Sequence, residues 1–208
     1  MTIIVHHLEN SRSQRILWML EELGLPYEVK RYERNKKTML APPELRQVHP
    51  LGKSPVIEDA GTVVAETGAI IEYLVEKADG RLGPAARRDA ILRYRFFIHY
   101  AEGSLMPPLL VMLVLGRVPL FGKRAQARIQ PMIDVHLDYL ERELAGRDWF
   151  LGDELTAADI MLSFPLEAAR QRAGLSGTRP NIAAWLERVH ARPAYQRALT
   201  RGGPYAYA

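Results

Sequence analysis

The sequence predicts two structural classes in one chain: a compact α/β unit followed by an all-helical unit. Three observations carry that reading. Up to about residue 77, short β-rich runs share the chain with a helical stripe and a hairpin signal. Asp79-Gly80-Arg81-Leu82-Gly83-Pro84 then supplies two glycines and a proline, the clearest break in the chain. Beyond it no strand pattern survives.

The elements follow in order. Residues 2–7 are short and β-rich and predict the first strand. A helix is expected to begin at Ser11, with Ile16, Leu17, Met19, Leu20 and Leu23 forming its apolar stripe before Gly24 and Pro26 end it. Residues 27–32 predict a second strand, and a loop-rich stretch follows. Residues 56–58 and 62–65 flank Asp59-Ala60-Gly61, a hairpin signal. A helix over about 66–77 closes the unit, with Ile70, Ile71, Leu74 and Val75 on one face. Residues 86–115, 122–146, 157–172 and 180–200 each read as helix. The expected organisation is therefore a first domain over 1–79, a linker over 80–84 and a helical domain over 85–208.

Composition narrows the function. The 208 residues include no cysteine, so disulfides, thiolate metal sites and a protein thiol as nucleophile are all excluded. The net charge of +4 is small and scattered rather than gathered in a stripe, so no nucleic-acid partner is expected. The most apolar run, residues 105–121, is broken by Pro107, Pro108, Gly116, Arg117 and Pro119. Its uninterrupted part falls short of the roughly 20 residues that cross a bilayer, so no membrane partner is expected either. The N-terminus lacks a signal-peptide pattern, and a cytoplasmic location is expected.

Three features of the first unit could carry chemistry. Ser11 lies between a strand and a helix, where its hydroxyl either caps the first turn or donates to an anion at the positive helix end. Pro55 precedes a β-like run, as an ordinary strand-entry proline or as a cis residue that turns the Ser54 backbone outward. Glu66-Thr67 closes the hairpin and opens a helix. The pair is either a cap or a clamp for a group carrying both an ammonium and a carboxylate.

The order Ser11-Arg12-Ser13-Gln14-Arg15, Gly52-Lys53-Ser54-Pro55-Val56 and Glu66-Thr67 resembles the glutathione-binding half of the cytosolic glutathione transferases. Residues 150–159 (FLGDELTAAD), 180–188 (PNIAAWLER) and 192–195 (RPAY) resemble motifs of that family's helical half. The likeness runs from about residue 3 to residue 200. It implies a thioredoxin-like domain joined to an α-helical bundle domain, usually as a homodimer. The subgroup it resembles is serine-type and theta-like, bacterial or fungal, on the run His99–Pro108.

Residue by residue, the resemblance makes Ser11 the catalytic serine. Lys53, Ser54, Pro55, Glu66 and Thr67 become the glutathione contacts, with Pro55 the cis-proline. Asp159 with Thr156 matches a folding motif. Tyr100, Ser104 and Met106 are expected at an electrophile cleft between the domains. Mid-helix Gly103 is read as room for a close neighbour. Glutathione enters as co-substrate, with no separate cofactor and no metal. The implied activity is conjugation to small hydrophobic electrophiles, with peroxidase action on hydroperoxides as a second expectation and cellular detoxification as the role. Alternatives are a non-catalytic binding or regulatory protein and a ligand carrier. The cysteine-type classes are excluded by composition.

Two departures stand out. Thr67 replaces the more usual serine and keeps the hydroxyl. His6 and His7 occupy the strand where tyrosine-type classes carry their tyrosine, and are read as one inward and one outward residue. Ser13, Tyr27 and Tyr32 remain arguable as hydroxyl donors.

Overall fold

The structure, a computed structural model, describes residues 2–175 and 178–208. Its contacts divide the chain into two compact units, residues 1–83 with 190–206 and 208, and residues 84–189 with 207.

In the first unit, strands β1 (Ile3–Leu8), β2 (Tyr27–Tyr32), β3 (Val56–Asp59) and β4 (Thr62–Ala65) form one sheet in the order β2-β1-β3-β4. β1 runs parallel to β2 and antiparallel to β3, and β3–β4 is an antiparallel hairpin. Side chains alternate across β1. Ile3, Val5 and His7 therefore share one face and Ile4, His6 and Leu8 the other. Helices α1 (Ser13–Leu23) and α3 (Thr67–Lys77) contact the sheet and each other. Ile16, Leu17, Met19 and Leu20 of α1 are fully buried, as are Ile70, Ile71 and Leu74 of α3. Gly24 ends α1 at φ 63°, the left-handed turn that glycine adopts without a Cβ clash. A short helix, α2 (Leu45–Val48), forms in the stretch read as loop and packs Leu45 against Leu8 and Tyr32. Four residues with no stripe leave no periodic signal.

The last helix returns to this first unit, which corrects the expectation of a helical domain running to residue 208. The chain breaks between α8 (Pro180–His190) and α9 (Pro193–Gly202), because Pro193 cannot donate a helix hydrogen bond. α9 then packs on α1. Trp18 meets Tyr195 edge-to-face at 5.5 Å. The Arg192 guanidinium donates to Glu22 at 2.5 and 2.9 Å, and Arg197 pairs with Glu21 at 2.6 Å.

The second unit contains α4 (Arg88–Tyr100), α5 (Met106–Leu115), α6 (Gly122–Glu143), α7 (Ala157–Ala169) and α8. α4 and α5 are joined by a π-helical turn, Ala101–Leu105, whose closing bond runs from the Met106 N–H to the Ala101 carbonyl. Pro107 and Pro108 explain it, since neither can donate to the carbonyls four residues back. Gly103 lies in this turn, and a Cβ there would meet nothing within 4 Å. No neighbour among the described residues therefore requires glycine at 103. The core gathers Phe97, Phe150 and Trp185, with Phe97–Phe150 and Phe150–Trp185 centroids 5.0 and 5.3 Å apart. Asp159 forms the capping box with Thr156 that opens α7.

Candidate functional site

The sheet register gathers the expected residues at one end of the first unit. His6 pairs with Val56 across β1–β3, and Val56 with Ala65 across β3–β4. Beyond these pairs the Leu8 N–H meets the Ser54 hydroxyl, Pro55 immediately precedes β3, and Glu66-Thr67 immediately follow β4. α1 and α3 both begin at this end and direct the positive ends of their dipoles there.

The Ser54-Pro55 peptide bond is cis, and β3 starts only at Val56. The Ser54 hydroxyl takes the place of the ladder here: it donates to the His6 carbonyl at 2.8 Å and accepts the Leu8 N–H at 3.2 Å. The Ser54 backbone thus stands outside the strand pairing. Lys53 is exposed. Glu66 is exposed at φ 71°, ψ 126°, a strained conformation for a residue with a Cβ. It leads directly into α3, whose first residue, Thr67, is buried.

Ser11 caps the first turn of α1, as its simplest reading expects, and also joins a longer hydrogen-bond chain. Helix α1 begins at Ser13, and the residue at the capping position, Arg12, makes no side-chain cap. Ser11 Oγ instead accepts the Ser13 N–H at 3.2 Å and lies 2.8 Å from Ser13 Oγ. Ser13 Oγ is in turn 2.9 Å from His7 Nδ1. Burial, with the nearby Arg31 cation, pushes the His7 imidazole down to about 4, so the ring is neutral at pH 7. A backbone hydrogen bond to Gly202 favours its protonated form, as a ring N–H donating to a carbonyl does. Nδ1 is then the bare nitrogen, and the Ser13 hydroxyl donates either to it or to the Leu8 carbonyl 3.3 Å away. Within the pair, Ser11 is left as the donor.

This chain of Ser11, Ser13 and His7 is absent from the sequence reading, and the two histidines correct it. Both are buried. His6 hydrogen-bonds the Tyr32 hydroxyl through Nδ1 at 2.8 Å and Glu58 through Nε2 at 2.6 Å. Burial lowers its pKa against the opposing pull of Glu58. Tyr27 donates to Glu21 at 2.9 Å, so both tyrosines once arguable as donors are committed elsewhere. A cavity of about 440 Å³ opens on the His6 face, lined by Lys30, Tyr32, Glu58 and Val63 of the sheet with Glu44 and Gln47. It is separate from the Ser11 end.

In the second unit, two of the three cleft candidates are packed away. Tyr100 is buried against Phe96, Phe97 and Tyr139, with its hydroxyl 2.7 Å from His136 Nδ1. Met106 is buried as well, and Ser104 is exposed. Asp159 is wholly buried. Its carboxylate accepts from the backbone of Phe150 and Thr156, the Thr156 hydroxyl and the Trp185 indole. Burial nevertheless raises its pKa to about 6. Its role is structural. Among the described residues no cluster of three or more metal-ligating side chains occurs.

Comparison with known proteins gives the family and the fold. The family model for the glutathione S-transferase N-terminal domain matches residues 11–77, and that for the C-terminal domain matches 105–193. The chain is 37% identical to glutathione S-transferase 3 of Schizosaccharomyces pombe, over 96% of this chain and 87% of that one. It is 33% identical to glutathione S-transferase 1 of Saccharomyces cerevisiae, over 93% and 92%. Among solved structures, a glutathione S-transferase from Actinobacillus pleuropneumoniae superposes with a TM-score of 0.88 at 35% identity, covering 99% of this chain and 95% of that one. A Pseudomonas fluorescens family member with two glutathione molecules bound gives 0.82 at 27%, covering 95% and 92%.

Proposed function

The chain belongs to the glutathione S-transferase family and is a glutathione transferase; from that premise we propose that it is a serine-type enzyme that conjugates reduced glutathione to small hydrophobic electrophiles, with Ser11 activating the thiol. The observation that carries this reading is the Ser11–Ser13–His7 chain at the start of α1, beside the Ser54-Pro55 turn and Glu66-Thr67.

Each group has a chemical task. The Ser54 backbone, left outside the ladder, pairs with the cysteinyl unit of the tripeptide. Glu66 meets the α-ammonium of the γ-glutamyl end, while the Thr67 hydroxyl and the first N–H groups of α3 meet its carboxylate. Lys53 reaches the glycyl carboxylate. The thiol then lies by Ser11. A free thiol titrates near about 8.5, and only the thiolate is nucleophilic. A thiolate draws the Ser11 proton away from Ser13 Oγ and accepts it as a hydrogen bond. Ser13 keeps its own proton on His7 or the Leu8 carbonyl, so it does not compete. A hydrogen bond to a charged acceptor contributes about 1.5–3 kcal/mol, or roughly one to two pH units at the thiol. The sulfur attacks the electrophile and the displaced group leaves, so the protein needs no nucleophile of its own. We assign electrophile recognition to the second unit around Ser104, its exposed candidate. A homodimer working in the cytoplasm completes the reading.

Isothermal titration with glutathione, run beside a chloronitrobenzene conjugation assay, tests it. Binding with turnover is the expected result. Binding without turnover would replace the conjugating enzyme by a carrier or regulatory protein, and no binding would remove the glutathione site.

A further inference from the structure

The turn between α5 and α6 holds the most exposed large apolar side chains among the described residues. Leu120 is 95% exposed and Phe121 71%, with Val114 at 57% and Val118 at 44% beside them. Leu120 also sits at φ 64°, a conformation disfavoured for any residue with a Cβ. Backbone strain and a leucine standing in water coincide at one residue, and no packing among the described residues offsets either.

The charge around the tip is of one sign. Residues 103–133 contain no Asp or Glu, while Arg117, Lys123, Arg124 and Arg128 are all exposed. The helical run Arg88–Leu115 is long and apolar enough to cross a membrane by length and composition, but 44% of its apolar stretch is buried inside the protein. Its α4 part carries the core residues Phe97 and Ile98, so it is a core helix rather than a span. The apolar tip with its cationic collar lies beyond its end.

An apolar centre within a wholly cationic rim fits a surface that is anionic outside and apolar beneath. A second copy of the chain fits badly, because it would bring the same cations together. We propose that the α5–α6 tip docks the enzyme peripherally on an anionic lipid surface. Leu120 and Phe121 enter the headgroup boundary, and Arg117, Lys123 and Arg124 pair with the anionic headgroups. The expectation of no membrane partner weighed only spanning segments, and peripheral docking needs none. Nothing in this inference depends on the glutathione site.

The test is cosedimentation of the full chain with phosphatidylcholine vesicles and with mixed phosphatidylcholine–phosphatidylserine vesicles, at low and high salt. The expected result is binding to the mixed vesicles that weakens as salt rises, with little binding to phosphatidylcholine alone. The double variants Leu120→Ser/Phe121→Ser and Lys123→Glu/Arg124→Glu should each lose about tenfold or more in binding, with glutathione turnover retained. No binding to mixed vesicles would overturn the proposal. So would equal binding to both lipids, or salt-sensitive self-association without vesicles that the same variants abolish.

Discussion

His7 should make the protein acid-sensitive in a defined window. Its imidazole titrates at about 4 in the folded chain and near 6.5 when unfolded. Between those values the unfolded state binds more protons, so stability is complete above about 6.5 and is lost as the pH falls toward about 4. At about 1.4 kcal/mol per pH unit the loss is on the order of 3 kcal/mol. The perturbation is His7→Asn, which keeps an acceptor for the Ser13 hydroxyl and removes the titration. At pH 7 the variant should be less stable, because it loses volume and the Gly202 contact. As the pH drops to 4 the gap should close by on the order of 3 kcal/mol. Asp159, raised to about 6, works in the opposite sense, since its folded form takes up a proton first and gains stability on acidification. It is present in both proteins and cancels in the difference, as does His6. Urea midpoints for both proteins from pH 7 to pH 4 provide the assay. A gap that stays constant across that range would refute the buried, neutral imidazole and with it the proton order assigned to Ser13.

Other perturbations have clear signs. Glu66→Gly removes both the carboxylate and the strain at φ 71°. It should raise thermal stability by on the order of 1 kcal/mol while weakening glutathione about tenfold or more in a titration; tighter or unchanged binding would remove Glu66 from the ammonium site. Asp159→Asn exchanges one acceptor oxygen for a donor among buried N–H and O–H groups. A loss on the order of 3 kcal/mol in urea unfolding is expected, with glutathione affinity per folded molecule unchanged. Ser11→Ala should reduce conjugation kcat more than glutathione affinity, and equal losses would make Ser11 a structural residue.

Much of the fold was legible because periodicity and turn chemistry are local. Gly24 and Pro26 mark the end of α1, and Asp59-Ala60-Gly61 marks the hairpin that β3 and β4 form. What failed depended on partners distant in sequence. The capping role first weighed for Ser11 holds, since its hydroxyl accepts the N–H of Ser13, the first residue of α1, but its further link through Ser13 Oγ to His7 lies outside any local pattern. His7 carried a signal that went unused: it continues the inward alternation of Ile3 and Val5. Its neighbour His6 is buried only because Tyr32 and Glu58 arrive from adjacent strands, which no local pattern reveals. The return of α9 to the first unit rests on Trp18–Tyr195 and on ion pairs between residues some 170 positions apart. Tyr100 read as cleft-lining by motif, yet its hydroxyl found His136 on a different helix. A helical pattern alone does not say which side of α4 faces the core.

The central claim is that the Ser11 hydroxyl holds glutathione as its thiolate, and the most direct test is a pH titration of thiolate absorbance in the enzyme–glutathione complex. In the native protein the bound thiol should ionise well below its free value of about 8.5, and in Ser11→Ala it should move back up by roughly one to two pH units. A thiol that ionises at the same pH in both proteins, with glutathione bound in each, would contradict the account.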